Sequence, residues 1–162
     1  MEKRILCAYS SIIRTNPIWV KGGQMDILLV EDNSDDVELT LRTLRKHRLT
    51  NQIHVVRDGP AAVELAQSNT EVGLILLDII LPSMSGFGVL RRLQANSNTH
   101  AIPVIILPDS KDCPSIVEGV RLGARGFMVK PLNFNELMEA TCALGFRWLL
   151  SDTAATLTWG PP

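Results

Sequence analysis

The chain has 162 residues, a formal net charge of −1 and 46% hydrophobic residues. That length suits one domain with its own core, and the near-neutral charge gives no basis for nucleic acid or an anionic membrane surface as a partner. No run approaches the roughly 20 apolar residues of a membrane span. Cys7, Cys113 and Cys142 are too few and too scattered for a disulfide framework or a zinc site, and read as reduced thiols of a cytoplasmic protein.

Residues 1–24 read as a leader that is non-native or loosely attached. Lys3 and Arg4 precede Ile5 to Ile13 as in a secretion signal, but Tyr9, Ser10 and Ser11 dilute the apolar run. No Ala-x-Ala cleavage site follows, and Arg14, Pro17 and Gly22-Gly23 break any regular element. From Asp26 onward, strand and helix patterns alternate through one domain over 25–150. An apolar run at 26–30 predicts a strand. It leads to a helix over about 34–47 with Val37, Leu41 and Leu44 on one face. Asn33 or Ser34 can cap that helix, and Asp35 and Asp36 suit the positive end of its dipole. A short strand at 53–56 precedes Asp58-Gly59-Pro60, which opens a second helix.

The apolar stretch 73–77 predicts a third strand, followed by a loop from Asp78 to Gly86 and a helix to about Ala95. A fourth strand spans 102–107. Asp112 caps a helix that stops near Gly123, and 126–129 forms the fifth strand. Asn133 or Asn135 starts a last helix reaching about Leu150. Five strand–helix pairs imply a parallel sheet covered on both faces with right-handed crossovers. His47, His54 and His100 lie near no motif and read as surface or loop residues.

Ligands of an open α/β sheet sit outside the carboxyl ends of its strands. Three of the predicted strands end in chemistry-bearing residues: Glu31-Asp32, Asp78 and Lys130-Pro131. Each alone has an ordinary explanation as a helix cap or a solvated charge. Together they place three carboxylates and one ammonium on one edge, a set that suits a divalent cation and a phosphoryl group.

These residues also carry a resemblance. Ile27-Leu28-Leu29-Val30-Glu31-Asp32-Asn33, Asp78-Ile79-Ile80-Leu81-Pro82-Ser83-Met84-Ser85-Gly86 and Val129-Lys130-Pro131, in that order, resemble a response-regulator receiver domain over about 25–146. The resemblance implies a flavodoxin-like fold with strand order 2-1-3-4-5. It also implies phosphoryl transfer from a histidine kinase onto Asp78. In this reading Glu31, Asp32, Asp78 and the backbone carbonyl of Ile80 hold Mg²⁺, and Lys130 meets a phosphoryl oxygen across a cis Lys130-Pro131 bond.

The chain departs from that family where the fourth strand ends. Receiver domains carry Thr or Ser there, followed by a small residue, whereas this chain has Pro108 and then Asp109. Proline offers no donor, and Asp109 adds negative charge to an acidic pocket. Ser110 lies two residues along and is expected to point elsewhere. Phe127 stands at the usual aromatic switch position, has no hydroxyl, and is read as a packed ring. Ile80, apolar beside the phosphoacceptor, predicts slow loss of the phosphoryl group to water.

Only about 12 residues follow the last predicted helix, so output is expected through protein contact or phosphate relay. The stretch 145–150 and the tail over 151–162, with Phe146, Trp148, Leu149, Leu157 and Trp159 as candidate dimer contacts, are more apolar than a free terminus needs. Its alternative is that Trp148 packs on its own domain. The tail, the Val30-Glu31-Asp32-Asn33 start and the general length also resemble small stand-alone regulators that partner bacterial phytochrome kinases and often form dimers, which implies a homodimer through the fourth and fifth helices, the fifth strand and the tail. Two competing readings stand beside the phosphoacceptor. One is a degenerate receiver acting as a phosphorylation-independent interaction module. The other is a hydrolase or flavin carrier on similar topology, disfavoured because Glu31 and Asp32 would repel a flavin phosphate and Ile80 replaces the second acid of a phosphatase.

Overall fold

The computed structural model describes residues 25–111, 113–146 and 148–149. Five strands, β1 (Asp26–Val30), β2 (Ile53–Val56), β3 (Val72–Asp78), β4 (Val104–Leu107) and β5 (Gly126–Phe127), form one parallel sheet of order β2-β1-β3-β4-β5. Five helices alternate with them: α1 (Ser34–Lys46), α2 (Gly59–Ser68), α3 (Gly86–Ala95), α4 (Cys113–Arg121) and α5 (Phe134–Cys142). This is the flavodoxin-like arrangement expected from the sequence.

Side chains of β1, β3 and β4 alternate between two cores, which is why these strands read as unbroken apolar runs. Leu28, Val30, Ile75, Leu77, Val104 and Ile106 meet Ala62 and Val63 of α2 and Leu90 and Leu93 of α3. Ile27, Leu29, Leu74, Leu76, Ile105 and Leu107 face the other way, onto Val37 and Leu44 of α1 and Phe134 and Leu137 of α5.

Helix starts follow local chemistry. The Asn33 side chain accepts from the Asp35 and Asp36 N–H groups, so Asn33 rather than Ser34 is the cap. Asp58 caps α2 through the Ala61 N–H at 2.9 Å, Ser85 caps α3, and Asn133 rather than Asn135 caps α5. The proposed Asp112 cap lies outside the described residues. Gly123, at φ +100°, closes α4 as expected: Ala124 N–H bonds back to Gly119 O and Gly123 N–H to Val120 O.

Several sequence expectations need correction. α5 ends at Cys142, eight residues short of Leu150, because Gly145 at φ +81° reverses the chain. Phe146 N–H reaches Thr141 O at 3.2 Å and Gly145 N–H reaches Cys142 O at 3.1 Å, the paired bonds of a left-handed helix stop. As a result Phe146 and Trp148 turn inward. Both are buried in the chain's own core, which removes them from the candidate dimer contacts. Trp148 meets Phe134 and Phe146 edge-on at 5.2 and 4.9 Å, and its indole N–H donates to Thr141 Oγ1 at 2.9 Å. Leu149 is half-buried and holds Thr50 and Asn51 through its backbone, while Leu157 and Trp159 lie outside the described residues. Finally, His54 belongs to β2 and bonds to Asp26 Oδ2 at 2.7 Å, at the edge opposite Lys130.

Candidate functional site

Parallel strands deliver their carboxyl ends to one edge. Register then levels them: Val30 of β1 pairs with Leu77, and Asp78 of β3 pairs with Leu107 of β4. Glu31 and Asp78 therefore leave the sheet side by side, both buried, while Asp32 is exposed. Beyond β5 the ladder continues through Met128 N–H to Ile106 O and Lys130 N–H to Pro108 O, and the Lys130-Pro131 bond is cis. The chain turns there, and the lysine side chain lies over the acids.

The Lys130 ammonium is 2.9 Å from Glu31 Oε2, 3.0 Å from Asp36 Oδ2, 3.2 Å from Asp109 Oδ1 and 3.4 Å from Asp78 Oδ2. Burial alone would lower its pKa. Hydrogen bonds to Glu31 and Asp36 and the charges of Asp78 and Glu31 outweigh that and raise it above its ordinary value. Burial raises the Glu31 carboxyl above its usual range, against the pull of Lys130 and of the Asn33 N–H that binds its Oε1.

Carboxylate oxygens of Glu31, Asp32 and Asp78 lie within 4.8 Å of one another. Mg²⁺ takes oxygen ligands at about 2.0–2.1 Å, so opposite ligands stand about 4.2 Å apart and small side-chain shifts would suffice. The donor set fits that hard ion. The Ile80 N–H donates to Asp78 Oδ1 at 3.3 Å, which fixes the other face of the carboxylate.

Over Asp78 opens a cleft of about 160 Å³, with Asp78, Ile79 and Ile80 on one side and Pro108, Asp109, Ser110 and Ser115 on the other. Ile80 is 71% exposed beside it. The loop below is tightly built. The Gly86 N–H bonds to Ile79 O at 2.8 Å, and a Cβ on Gly86 would run into the Asp78 carbonyl oxygen and stand 2.8 Å from Ile79 Cα. Gly86→Ala is expected to destabilise the fold by about 1–3 kcal/mol, since backbone rather than a flexible side chain must give way. Chemical denaturation tests this, and an unchanged midpoint would contradict it.

Several site features escaped the sequence. Asp36, a first-turn acid of α1, also holds the Lys130 ammonium. Arg57 donates to the Asp32 carbonyl oxygen and to Ser34 Oγ, both at 3.1 Å, bracing the turn that presents Asp32. Asp109 is 66% exposed and paired with Lys130, which moderates its repulsion. Phe127 is not the packed ring expected: it is 45% exposed and lines a groove of about 640 Å³ with Ile116, Val117 and Met128.

Residues 27–141 match the family described as the response regulator receiver domain. The response regulator Rcp1 of Synechocystis sp. is 30% identical over 133 residues, which cover 78% of this chain and 90% of that protein. The solved bacteriophytochrome response regulator AtBRR is 35% identical with a TM-score of 0.70, covering 80% of this chain and 99% of that one. The receiver domain of the sensor histidine kinase PA1611 of Pseudomonas aeruginosa, solved with a magnesium ion coordinated in the active site cleft, is 27% identical. Its TM-score is 0.67, and the match covers 76% of this chain and 99% of that one. With the acid edge, the strand order and these likenesses in agreement, the chain belongs to the response regulator receiver domain family.

Proposed function

We propose that this chain is a single-receiver response regulator of a two-component system, accepting a phosphoryl group from a histidine kinase on Asp78. The observation that carries the reading is the placement of the Lys130 ammonium 3.4 Å from Asp78 Oδ2, within a cluster of three carboxylates. Phosphoryl transfer asks the protein chiefly for alignment and charge neutralisation. An Asp78 oxygen attacks phosphorus, the P–N bond to the kinase histidine breaks, and the imidazole nitrogen leaves with the electron pair. Lys130 exchanges a carboxylate contact for a phosphoryl oxygen as negative charge arrives. Glu31, Asp32, Asp78 and the Ile80 carbonyl would hold Mg²⁺, which supplies counter-charge for the phosphoryl oxygens. The chain thus assists its own modification without being a turnover enzyme.

Acetyl phosphate with Mg²⁺, followed by mass spectrometry, tests this. A label confined to residue 78 and outlasting free acetyl phosphate is expected, the latter because exposed Ile80 hinders water. No label at residue 78 would overturn the assignment.

Partners follow as part of the proposal. The likeness to bacteriophytochrome response regulators supports a phytochrome-type sensor kinase as donor in the cytoplasm. The exposed apolar side chains of Val117, Val120 and Phe127 beside the groove support a homodimer through α4, β5 and α5, with Leu149, Leu157 and Trp159 as further contacts. Phe127→Asp is expected to shift the molar mass measured by light scattering from dimer to monomer, and a monomeric parent protein would refute the interface. The second reading, a phosphorylation-independent module, is favoured by one observation, the donor-less Pro108 at the end of β4. Dimerisation indifferent to beryllofluoride with Mg²⁺ would select it.

A further inference from the structure

We propose that the Ser115 hydroxyl replaces the hydroxyl missing at the end of β4, donating a hydrogen bond to the phosphoryl group on Asp78 and tying it to the first turn of α4. This rests on the phosphoacceptor reading above. A phosphoryl group on Asp78 presents three non-bridging oxygens. Lys130 serves one side of Asp78, and the Glu31–Asp32 acids, which would hold the Mg²⁺, lie on another. The remaining direction faces the cleft wall formed by the β4–α4 connection.

On that wall Pro108 has no donor and ionised Asp109 only accepts. Among the described residues lining the cleft, Ser110 and Ser115 alone carry hydroxyl groups. Ser110 is exposed on a bend, whereas Ser115 is half-buried and carried by α4, so the helix holds its direction. The hydroxyl keeps its proton throughout. The bond from phosphorus to the donor breaks and the bond to Asp78 forms in the same way, with one more charge-assisted hydrogen bond in the product.

This placement has a structural corollary. Ile116 and Val117 follow Ser115 directly and line the apolar groove beside Phe127. A contact at Ser115 therefore pulls on the groove-bearing helix itself instead of on the loop before it. Phosphorylation could then reach the dimer face without the usual strand-end hydroxyl.

The test compares the full chain with Ser115→Ala, Ser115→Thr and Ser110→Ala, following labelling by acetyl phosphate with Mg²⁺ and the lifetime of the label on phosphate-affinity gels. Ser115→Ala is expected to slow labelling about 10-fold, the effect of losing one hydrogen bond to a charged group. Ser115→Thr, which keeps the hydroxyl, should restore it, and Ser110→Ala should match the parent. Thermal unfolding of the unlabelled variants checks that each is folded, so that a labelling loss is read on intact protein. Parent-like labelling by Ser115→Ala, failure of threonine to restore it, or transfer of the loss to Ser110→Ala would each overturn the inference alone. A parent chain that takes no label would overturn the phosphoacceptor reading and this inference with it.

Discussion

Replacing Lys130 by methionine should lower the unfolding free energy by about 3–5 kcal/mol in the absence of divalent cations, the usual penalty for leaving buried charge without its partner. Methionine keeps the length of the side chain and removes the ammonium. Glu31 and Asp78, both buried, and the part-buried Asp36 would then face one another with nothing between them. Asp109 adds little to this loss, being largely solvated. The same substitution should slow phosphoryl transfer to Asp78 by about 100-fold or more, as removal of a preorganised charge at a transition state commonly does. Urea denaturation with and without Mg²⁺ separates the two effects. If Mg²⁺ binds the folded acid cluster as proposed, saturation at a hundred times its Kd should add about 2.7 kcal/mol. The variant should gain at least as much from it as the parent, because the cation neutralises the stranded carboxylates. Equal stability of variant and parent without the ion would show that Lys130 is not holding the acids together.

Trp148→Ala is expected to cost about 3–5 kcal/mol, a large share of the roughly 5–15 kcal/mol that holds a domain of this kind folded. Trp148 is 1% exposed, wedged between Phe134 and Phe146 and hydrogen-bonded to Thr141 Oγ1. Thr141 in turn donates to Leu137 O at 2.7 Å, so it keeps a partner when the indole is lost. The penalty therefore comes mainly from the void beneath α5. His47 stacks on Phe134 at 4.1 Å, so the disturbance should also reach the end of α1. Guanidinium denaturation followed by circular dichroism measures the cost. A change below about 1 kcal/mol would mean that the site collapses without penalty or that Trp148 does not fill this core.

What the sequence disclosed was set by how far each signal depends on distant residues. β1 and β3 are packed on both faces, so their identity is written in unbroken apolar runs. Glu31, Asp32, Asp78 and Lys130 follow once those strands are placed, because parallel topology brings the ends together. The end of α5 was hidden because Leu144, Phe146, Trp148 and Leu149 continue an apolar pattern across Gly145. A helix stop there depends on the backbone angle at one glycine. Asp36 was masked by its own adequate local explanation, as its bond to Lys130 joins residues 94 apart. β4 begins at Val104 rather than 102, and β5 keeps only Gly126 and Phe127 as regular strand, although the ladder bonds run on to Lys130.

The Asn51 side chain touches both extremities of the described fold: its amide nitrogen reaches Met25 O and its oxygen receives the Leu149 N–H, each at 2.7 Å. Topologically the domain is thus nearly an annulus, its two ends separated by the width of one carboxamide. A few flexible residues could solder 149 to 25, and new termini could be cut at the exposed Ser97–Asn98 bond between α3 and β4. Such a circular permutant would keep every strand neighbour, leave the acid edge untouched, and free both ends for a reporter on whichever side of the sheet an assay requires.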